Sequence, residues 1–493
     1  MNNVYLVDHE DKIKDPSADD FFSPDEFFPE YPGDKRSISR QRNDVYRMVR
    51  ECLRLSKYDG RNYGSSKWNP LGEIIKPGDT VLIKPNWVEN KNKNKDVNDN
   101  LECLVTHPSV VRAVCDYVVI ALKGKGEIII ADAPMQGCDL QDMFEIVGYN
   151  KLFEYLKGYH VNIRIVDMRR YSRVAKTRGV FSPLIMNDDE ENSHSKLVKL
   201  DGHSLHSEKD NQNVKYKVTD YLETDTMKYH HGHEHNYEIH ALPLEADVII
   251  NIPKPKTHRL AGMTAAVKNF VGITYEKASL PHRIEGAKEC GGDAYMKKSF
   301  WKEKMHLFDE KRTNASIENK LFSAFWNDIF MKICYVIGSG ISGDAYRIGS
   351  WYGNDTIWRT AIDLNYILLH ADKEGNIVDD IQRKIVTIGD MIVCGQGEGP
   401  VGPTPKHLNM IMMTDNTLVF DRVMCEIMGF DKAKLPMFNS LKAHKNMGYD
   451  SIEQLEKNIV YCQEGETTIL DFTAKKEWSF EPHSCWKGHI ERL

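Results

Sequence analysis

Six short runs of β-branched and other apolar residues recur along the chain, each ending abruptly in polar residues or proline. They are TVLIKPNW (80–87), EIIIADAP (127–134), VNIRIVDM (161–168), ADVIINIPKPKTH (246–258), KIVTIGDM (384–391) and LNMIMMTDN (408–416). Hydrophobicity within them is continuous rather than alternating, which marks strands covered on both faces. Between them lie stretches of helical periodicity. Residues 108–122 are the clearest, and 41–57 place Val45, Met48, Cys52 and Leu55 on one face with charges on the other. The grammar predicts an α/β class: mostly parallel sheet or sheets covered by helices, with two inserted segments.

The insertions are read from breaks in that grammar. Residues 172–240 are rich in charge, asparagine and histidine, and residues 285–345 are mainly helical in pattern. They divide a first α/β half (41–171) from a second (241–284 and 346–436). Residues 1–40 read as an irregular acidic, aromatic and proline-bearing arm whose phenylalanines should dock on the body. Residues 437–493 form a tail packing on the body, with a helix over Ser451–Lys457 and a strand around Thr467–Phe472. The face of FSAFWNDIFMKICYVIG, around 320–337, reads as a docking surface for the core, a second copy or a partner protein.

Composition narrows the picture. With 493 residues the chain exceeds the usual size of one hydrophobic core, and 41% apolar with 28% charged residues is ordinary for a folded protein. A net charge of -7 gives no global basic field, so nucleic acid is not an expected partner. The ten cysteines are scattered singly, which suits a reducing compartment. The N-terminal residues lack a secretory pattern, and a cytoplasmic location is expected. Leu321 to Ile337 is interrupted by Asn327, Asp328 and Lys332 and falls short of the roughly 20 apolar residues of a spanning helix, so no transmembrane segment is predicted.

Ligands of open parallel sheets bind beyond the carboxyl ends of the strands, so the residues following each run are the candidates. Those ends are unusually ionisable. Lys84 and Asn86 lie in the polar end of the first run; Lys254, Lys256 and His258 end the fourth, and a small-residue segment then leads to Lys268 and Asn269. Pro253 and Pro255 hold that loop extended, which tends to put Lys254 and Lys256 on one side. Such ammonium groups invite phosphate or carboxylate, and His258 beside them is a candidate proton shuttle. The competing structural reading makes the lysines solvated loop charges and His258 a cap.

Further on, Gly397 and Gly399 lie in a glycine-rich stretch that could expose an anion-binding nest of N–H groups, although no nucleotide-binding signature is present. Asp390 and Glu398 could bind a divalent cation or cap backbone groups. His107, before a proline-started helix, could be a neutral catalytic imidazole or a cap. The cluster His230, His231, His233 and His235 reads as a flexible loop with adventitious metal affinity.

KPNW, the THP step, IINIPKPKTH…AAVKNFVGI, GEGPVGP and NTLVFDRVMCEIMGFD (416–431) together resemble the domain-of-unknown-function 362 family over roughly 80–430. The resemblance highlights Lys84, Asn86, His107, Lys254, Lys256, His258, Lys268, Asn269, Gly399, Pro400 and Asp421, and gives weight to Asp421, which by itself reads equally as an N-cap. Asp421 with Asp390 would orient the catalytic groups or, with Glu398, hold a metal. Some relatives carry a ferredoxin-like module with clustered cysteines; the scattered cysteines here imply no iron–sulfur cluster. The family carries no assigned reaction.

The resulting expectation is an enzyme acting on a small anionic substrate. Lys84, Asn86, Lys254, Lys268, Asn269, Gly397 and Gly399 would bind it. His258, Lys256, His107 and Asp390 would perform acid-base and electrostatic catalysis, with a divalent metal as a candidate cofactor. Two rivals stand beside it: a cofactor-dependent oxidoreductase or electron-transfer partner, and a non-catalytic assembly protein using the N-terminal arm and the 320–337 face.

Overall fold

The computed structural model describes residues 2–13, 16–97, 100–173, 175–177, 180–181, 184–187, 194–440 and 451–492. Among the described residues eleven strands form one large mixed sheet. In chain order they are β1 (Val4–Asp8), β2 (Thr80–Lys84), β3 (Glu127–Asp132), β4 (Asn162–Asp167), β5 (Val248–Asn251), β6 (Lys256–His258), β7 (Gly262–Thr264), β8 (Lys384–Glu398), β9 (Gly402–Thr414), β10 (Ile459–Cys462) and β11 (Gly465–Thr468). The spatial order is β11-β10-β1-β9-β8-β5-β2-β3-β4, with β6 paired to β7 and to the far end of β8. All six apolar runs contain strands of this sheet, and the predicted α/β class is the observed one.

The central strands β8, β5, β2, β3 and β4 run parallel, with Ile249 opposite both Leu82 and Ile385. Their side chains alternate between two buried layers. Val81, Ile83, Ile128, Ile130, Val248 and Ile250 face helices α1 (Asp44–Leu55) and α2 (Pro108–Leu122). Leu82, Ile129 and Ile249 face Phe270, Ile273, Leu364 and Ile367 on the opposite side. Both faces of β2, β3, β5 and β8 are covered, which is why their sequences are apolar without alternation, whereas β4 at the sheet edge is partly exposed.

Three segments differ from their sequence reading. The N-terminal arm is largely ordered: β1 pairs with β9, and Phe22, Phe28 and Tyr31 are buried against α1 and α2. Arg112, buried in α2 and paired with Asp116 at 3.1 Å, ties the arm down by donating to the Phe21 carbonyl and to the Ser23 and Tyr31 hydroxyls. The histidine-rich stretch is a hairpin, His230–His231 pairing with the start of strand Glu234–His240, rather than a loose loop. His230 and His235 are buried in it.

The third segment is a helical hairpin, α3 (Phe300–Ile317) and α4 (Leu321–Ser342). The sequence reading stopped the apolar run at Ile337. The helix continues to Ser342 because Gly338 and Gly340 do not break it, and over 22 residues its length and composition suffice to cross a membrane. Two further helices, α5 (Ile357–His370) and α6 (Thr417–Ile427), cover the sheet near β8 and β9.

Candidate functional site

β2, β3 and β4 follow one another across the sheet in one direction, and the chain then returns to lay β5 on the other side of β2. A crevice opens at such a reversal because the connections leaving the two strands diverge. Here it is a cavity of about 410 Å³. Asn86, just past β2, and Lys256, just past β5, line it from the two sides of the switch. His258 and Arg259, Lys268 and Asn269, Lys277 and His282, and Pro400 and Val401 from the β8–β9 turn complete the relevant wall.

The predicted lysines divide by their partners. Lys84 is fully buried and bonded to Asp132 at 2.7 Å, and Asp132 also accepts the Trp87 and Ala133 N–H groups. Lys254 is bonded to Asp390 at 2.7 Å, and Asp390 accepts the His107 N–H at 2.8 Å. Both pairs are internal struts, and neither Lys254 nor Asp390 lines the cavity. Lys256 and Lys268 do line it, and neither has an ion-pair partner among the described residues. Arg259 and Lys277 share both properties. The lining carboxylates Glu89, Asp132 and Asp220 are each committed to other cations, Lys93, Lys84 and Arg312 respectively. Four cationic groups therefore face one hollow without an ion-pair partner of their own among the described residues, with Asp132 acting on Lys277 and Asp220 on Arg259 only at longer range.

Lys256 is held in place by three amides. Its Nζ donates to Asn86 Oδ1 at 3.1 Å and to the Lys254 carbonyl at 3.0 Å. Asn86 Nδ2 donates to Asn269 Oδ1, and Asn269 Nδ2 to Asn251 Oδ1 and the Lys84 carbonyl. Because an ammonium only donates, the Asn86 oxygen must face it, and the remaining amides follow in order. Burial pulls Lys256 down to about 7, with Lys254 adding to the effect, and Lys268 to about 8, with Arg259 adding to it. Lys277 is brought to about 7 by burial, which Asp132 partly offsets. A compact ammonium stripped of water favours its neutral form, so these amines can exchange protons near neutral pH.

The histidines are fixed as opposite tautomers. His258 Nδ1 accepts the Leu260 and Ala261 N–H groups at 3.0 and 3.2 Å, so its proton sits on Nε2. His282 Nδ1 lies 2.7 Å from the Leu280 carbonyl and must donate, which leaves Nε2 as an acceptor. Burial, reinforced by Lys268, keeps both neutral: His258 falls well below the ordinary histidine value and His282 to about 3. His258 is thus arranged as a hydrogen-bond donor rather than the proton shuttle expected from its position. His107 caps α2 by accepting the Ser109 N–H, lies edge-on to Phe22 and is outside the cavity wall.

The glycine-rich stretch is not an anion nest. It continues β8, where Gly397 donates to the Glu481 carbonyl and Gly399 to the Gly397 carbonyl, so both N–H groups are spent. Its glycines serve close packing: a Cβ at Gly399 would lie 2.0 Å from the Thr257 carbonyl oxygen, and one at Gly395 2.9 Å from Lys256 Cβ. The three carboxylates read as a metal set have separate partners. Asp390 holds Lys254, Glu398 accepts from Ser484 and lies 3.1 Å from His483, and Asp421 accepts the Ala266 N–H at 2.6 Å. Burial raises Asp421 to about 8, which leaves it protonated at neutral pH. Among the described residues no group of three or more His, Cys, Asp or Glu side chains is placed to hold a metal ion.

Sequence reasoning missed Arg259, Lys277 and His282. Arg259 adjoins His258 and could have been included on position alone. Lys277 and His282 sit in YEKASLPHR, an ordinary charged loop by sequence, and only the fold carries them to the cavity.

The model of the family described as Domain of unknown function (DUF362) matches residues 81–189 and 168–426. Among curated proteins the chain is similar to "Thylakoid-associated protein sll1697" of Synechocystis sp., 26% identical over 222 residues. That stretch is 45% of this chain and 47% of the relative, so the chain spans about half the length of the curated relative it matches. Among solved structures it is similar to the lactate racemase apoprotein from Thermoanaerobacterium thermosaccharolyticum, at 12% identity and a TM-score of 0.29, over 78% of this chain and 55% of that one. That likeness is too slight to carry a conclusion. The matched family segments contain Asn86, Lys256, His258, Arg259, Lys268, Asn269, Lys277 and His282, and the chain belongs to the DUF362 family.

Proposed function

We propose that the cavity at the β2/β5 switch is the active site of an enzyme acting on a small phosphate- or carboxylate-bearing molecule. The observation that carries this reading is the convergence of Lys256, Lys268, Arg259 and Lys277 on one cavity with no carboxylate partner among the described residues. Lys256 is fully buried and the other three are partly so, and holding unpaired charge away from water is costly, so the fold bears that cost unless an anion completes the site. In this reading Arg259 and Lys268 hold the anion. His258 donates from Nε2 to an oxygen on which negative charge develops, and His282 accepts a hydrogen from the ligand. Lys256, positioned by Asn86 and depressed towards neutrality, is the group that gives or takes a proton during the reaction.

Calorimetric titration with inorganic phosphate and with malonate tests the binding half. The wild-type protein should give saturable binding, and Lys268→Ala and Arg259→Ala should each weaken it by about tenfold or more, as expected for loss of a charge-assisted hydrogen bond. Featureless heats for both probes, or equal affinity in both variants, would remove the basis for the proposal.

A further inference from the structure

A second feature lies outside the cavity, on the hairpin α3–α4. Helix α4 is predominantly apolar, yet only 22% of its most apolar window is buried within the fold. It is therefore not a core helix, and it begins at residue 321, far from the N-terminus where a leader would lie. Its outward stripe reads Phe322, Phe325, Trp326, Phe330, Ile333 and Val336, with Phe322 78% and Val336 67% exposed. Phe300 and Leu307 of α3 are also exposed, and Phe308 of α3 stacks on Phe330 of α4. Isolated surface apolar groups are ordinary, but a continuous aromatic stripe of this length marks an interaction surface.

The opposite side of the hairpin is anchored to the body by charge. Asp309 of α3 accepts from Lys217 and Arg312, and Arg312 reaches Asp220 at 2.9 Å. The inward side of α4 carries Ala324, Asp328, Cys334 and Gly338, and Asp328 pairs with Lys332. α4 is thus held flat against α3. Crossing a bilayer would strip it from α3 and carry Asp328 into hydrocarbon, which is costly.

The rim of the patch is basic. Lys304 stands over the Phe300 ring and Lys311 over Phe308, which stacks on Phe330. Lys297, Lys298 and Lys320 are exposed nearby; of the exposed acids, Glu289 accepts the Lys298 N–H, Glu318 is bonded to Lys320, and Glu303 lies on α3. Aromatic and aliphatic side chains flanked by lysines are the signature of a helix lying in a membrane interface, where rings enter the acyl boundary and ammonium groups meet lipid phosphates. A second copy of the chain would instead bring the same lysine rim against itself.

We propose that the α3–α4 hairpin docks the protein flat onto an anionic phospholipid surface, α4 outermost. The test is sedimentation of the full-length protein with vesicles of phosphatidylcholine alone and of phosphatidylcholine mixed with phosphatidylglycerol, alongside light scattering without lipid. Binding should be at least about tenfold stronger on the anionic vesicles, as several lysines near such a surface require. Phe322→Glu with Val336→Glu, both on well-exposed positions, should abolish it while leaving circular dichroism unchanged. Lysine-rim variants Lys304→Glu and Lys311→Glu should weaken anionic binding and leave circular dichroism and lipid-free light scattering unchanged. Absence of vesicle binding in the wild type, or binding indifferent to Phe322→Glu/Val336→Glu, overturns the proposal. A dimer in lipid-free buffer that the same double variant dissociates also overturns it, in favour of a second copy.

Discussion

Lys84 ends β2 and Lys256 begins β6, and both are buried, yet removing them should have opposite consequences. Lys84 neutralises Asp132. Lys84→Met should leave that carboxylate buried and unpaired, costing about 3–5 kcal/mol in urea denaturation. Lys256 has no carboxylate to abandon, so Lys256→Met, which keeps the apolar stem, should leave stability unchanged or slightly raised at neutral pH while weakening phosphate binding by about tenfold or more. The pH dependence follows from the same shift. A lysine that titrates near 7 when folded and near 10.5 when unfolded is charged in both states below pH 7, where its burial is most unfavourable. As pH rises the folded state releases its proton first and the wild type gains stability, so any advantage of Lys256→Met over wild type should vanish between about pH 7 and 9. Anion affinity runs the other way. The protonated amines bind anions, so affinity should fall above pH 7 to 8, and calorimetry at pH 7.5 in buffers of different ionisation enthalpy should show net proton uptake on binding.

At the scale of elements, the site depends on backbones that approach closely. Gly272, just after the segment carrying Lys268 and Asn269, would place a Cβ 1.9 Å from Asp132 Oδ1 and 2.7 Å from Lys84 Nζ. Gly272→Ala must therefore displace a buried ion pair, and a loss of about 3 kcal/mol or more of unfolding free energy in urea, with loss of phosphate binding, is expected. The strands β2, β3, β5, β8 and β9 and helix α2 were legible because their apolar patterns are long and consistent with burial on both faces. The glycine-rich end of β8 was not. Glycine favours loops locally, but pairing with β9 over Gln396–Glu398 and contact with β6 decide that segment, so tertiary partners override local propensity.

For the whole molecule, an anion that binds only the folded state should stabilise it by mass action. Phosphate at a hundredfold excess over its dissociation constant should add about 2.7 kcal/mol to unfolding in urea, with less at pH 9 than at pH 7 and none in a Lys256→Met/Lys268→Met variant. The N-terminal arm and tail belong to this scale too: β1 and β10 extend the sheet beyond β9, joining residues more than 400 positions apart. The sequence alone determined the α/β class, the central strands, and that Asn86, Lys256 and His258 lie at strand ends with Lys268 and Asn269 on the segment that follows, because burial and strand periodicity are written locally in side-chain type. Which lysines are struts and which face the cavity, which tautomer each histidine holds, and that Lys277 and His282 arrive there at all were decided only by tertiary structure. Charge pairing depends on which side chains meet across the fold, and a run of residues does not encode its distant partner.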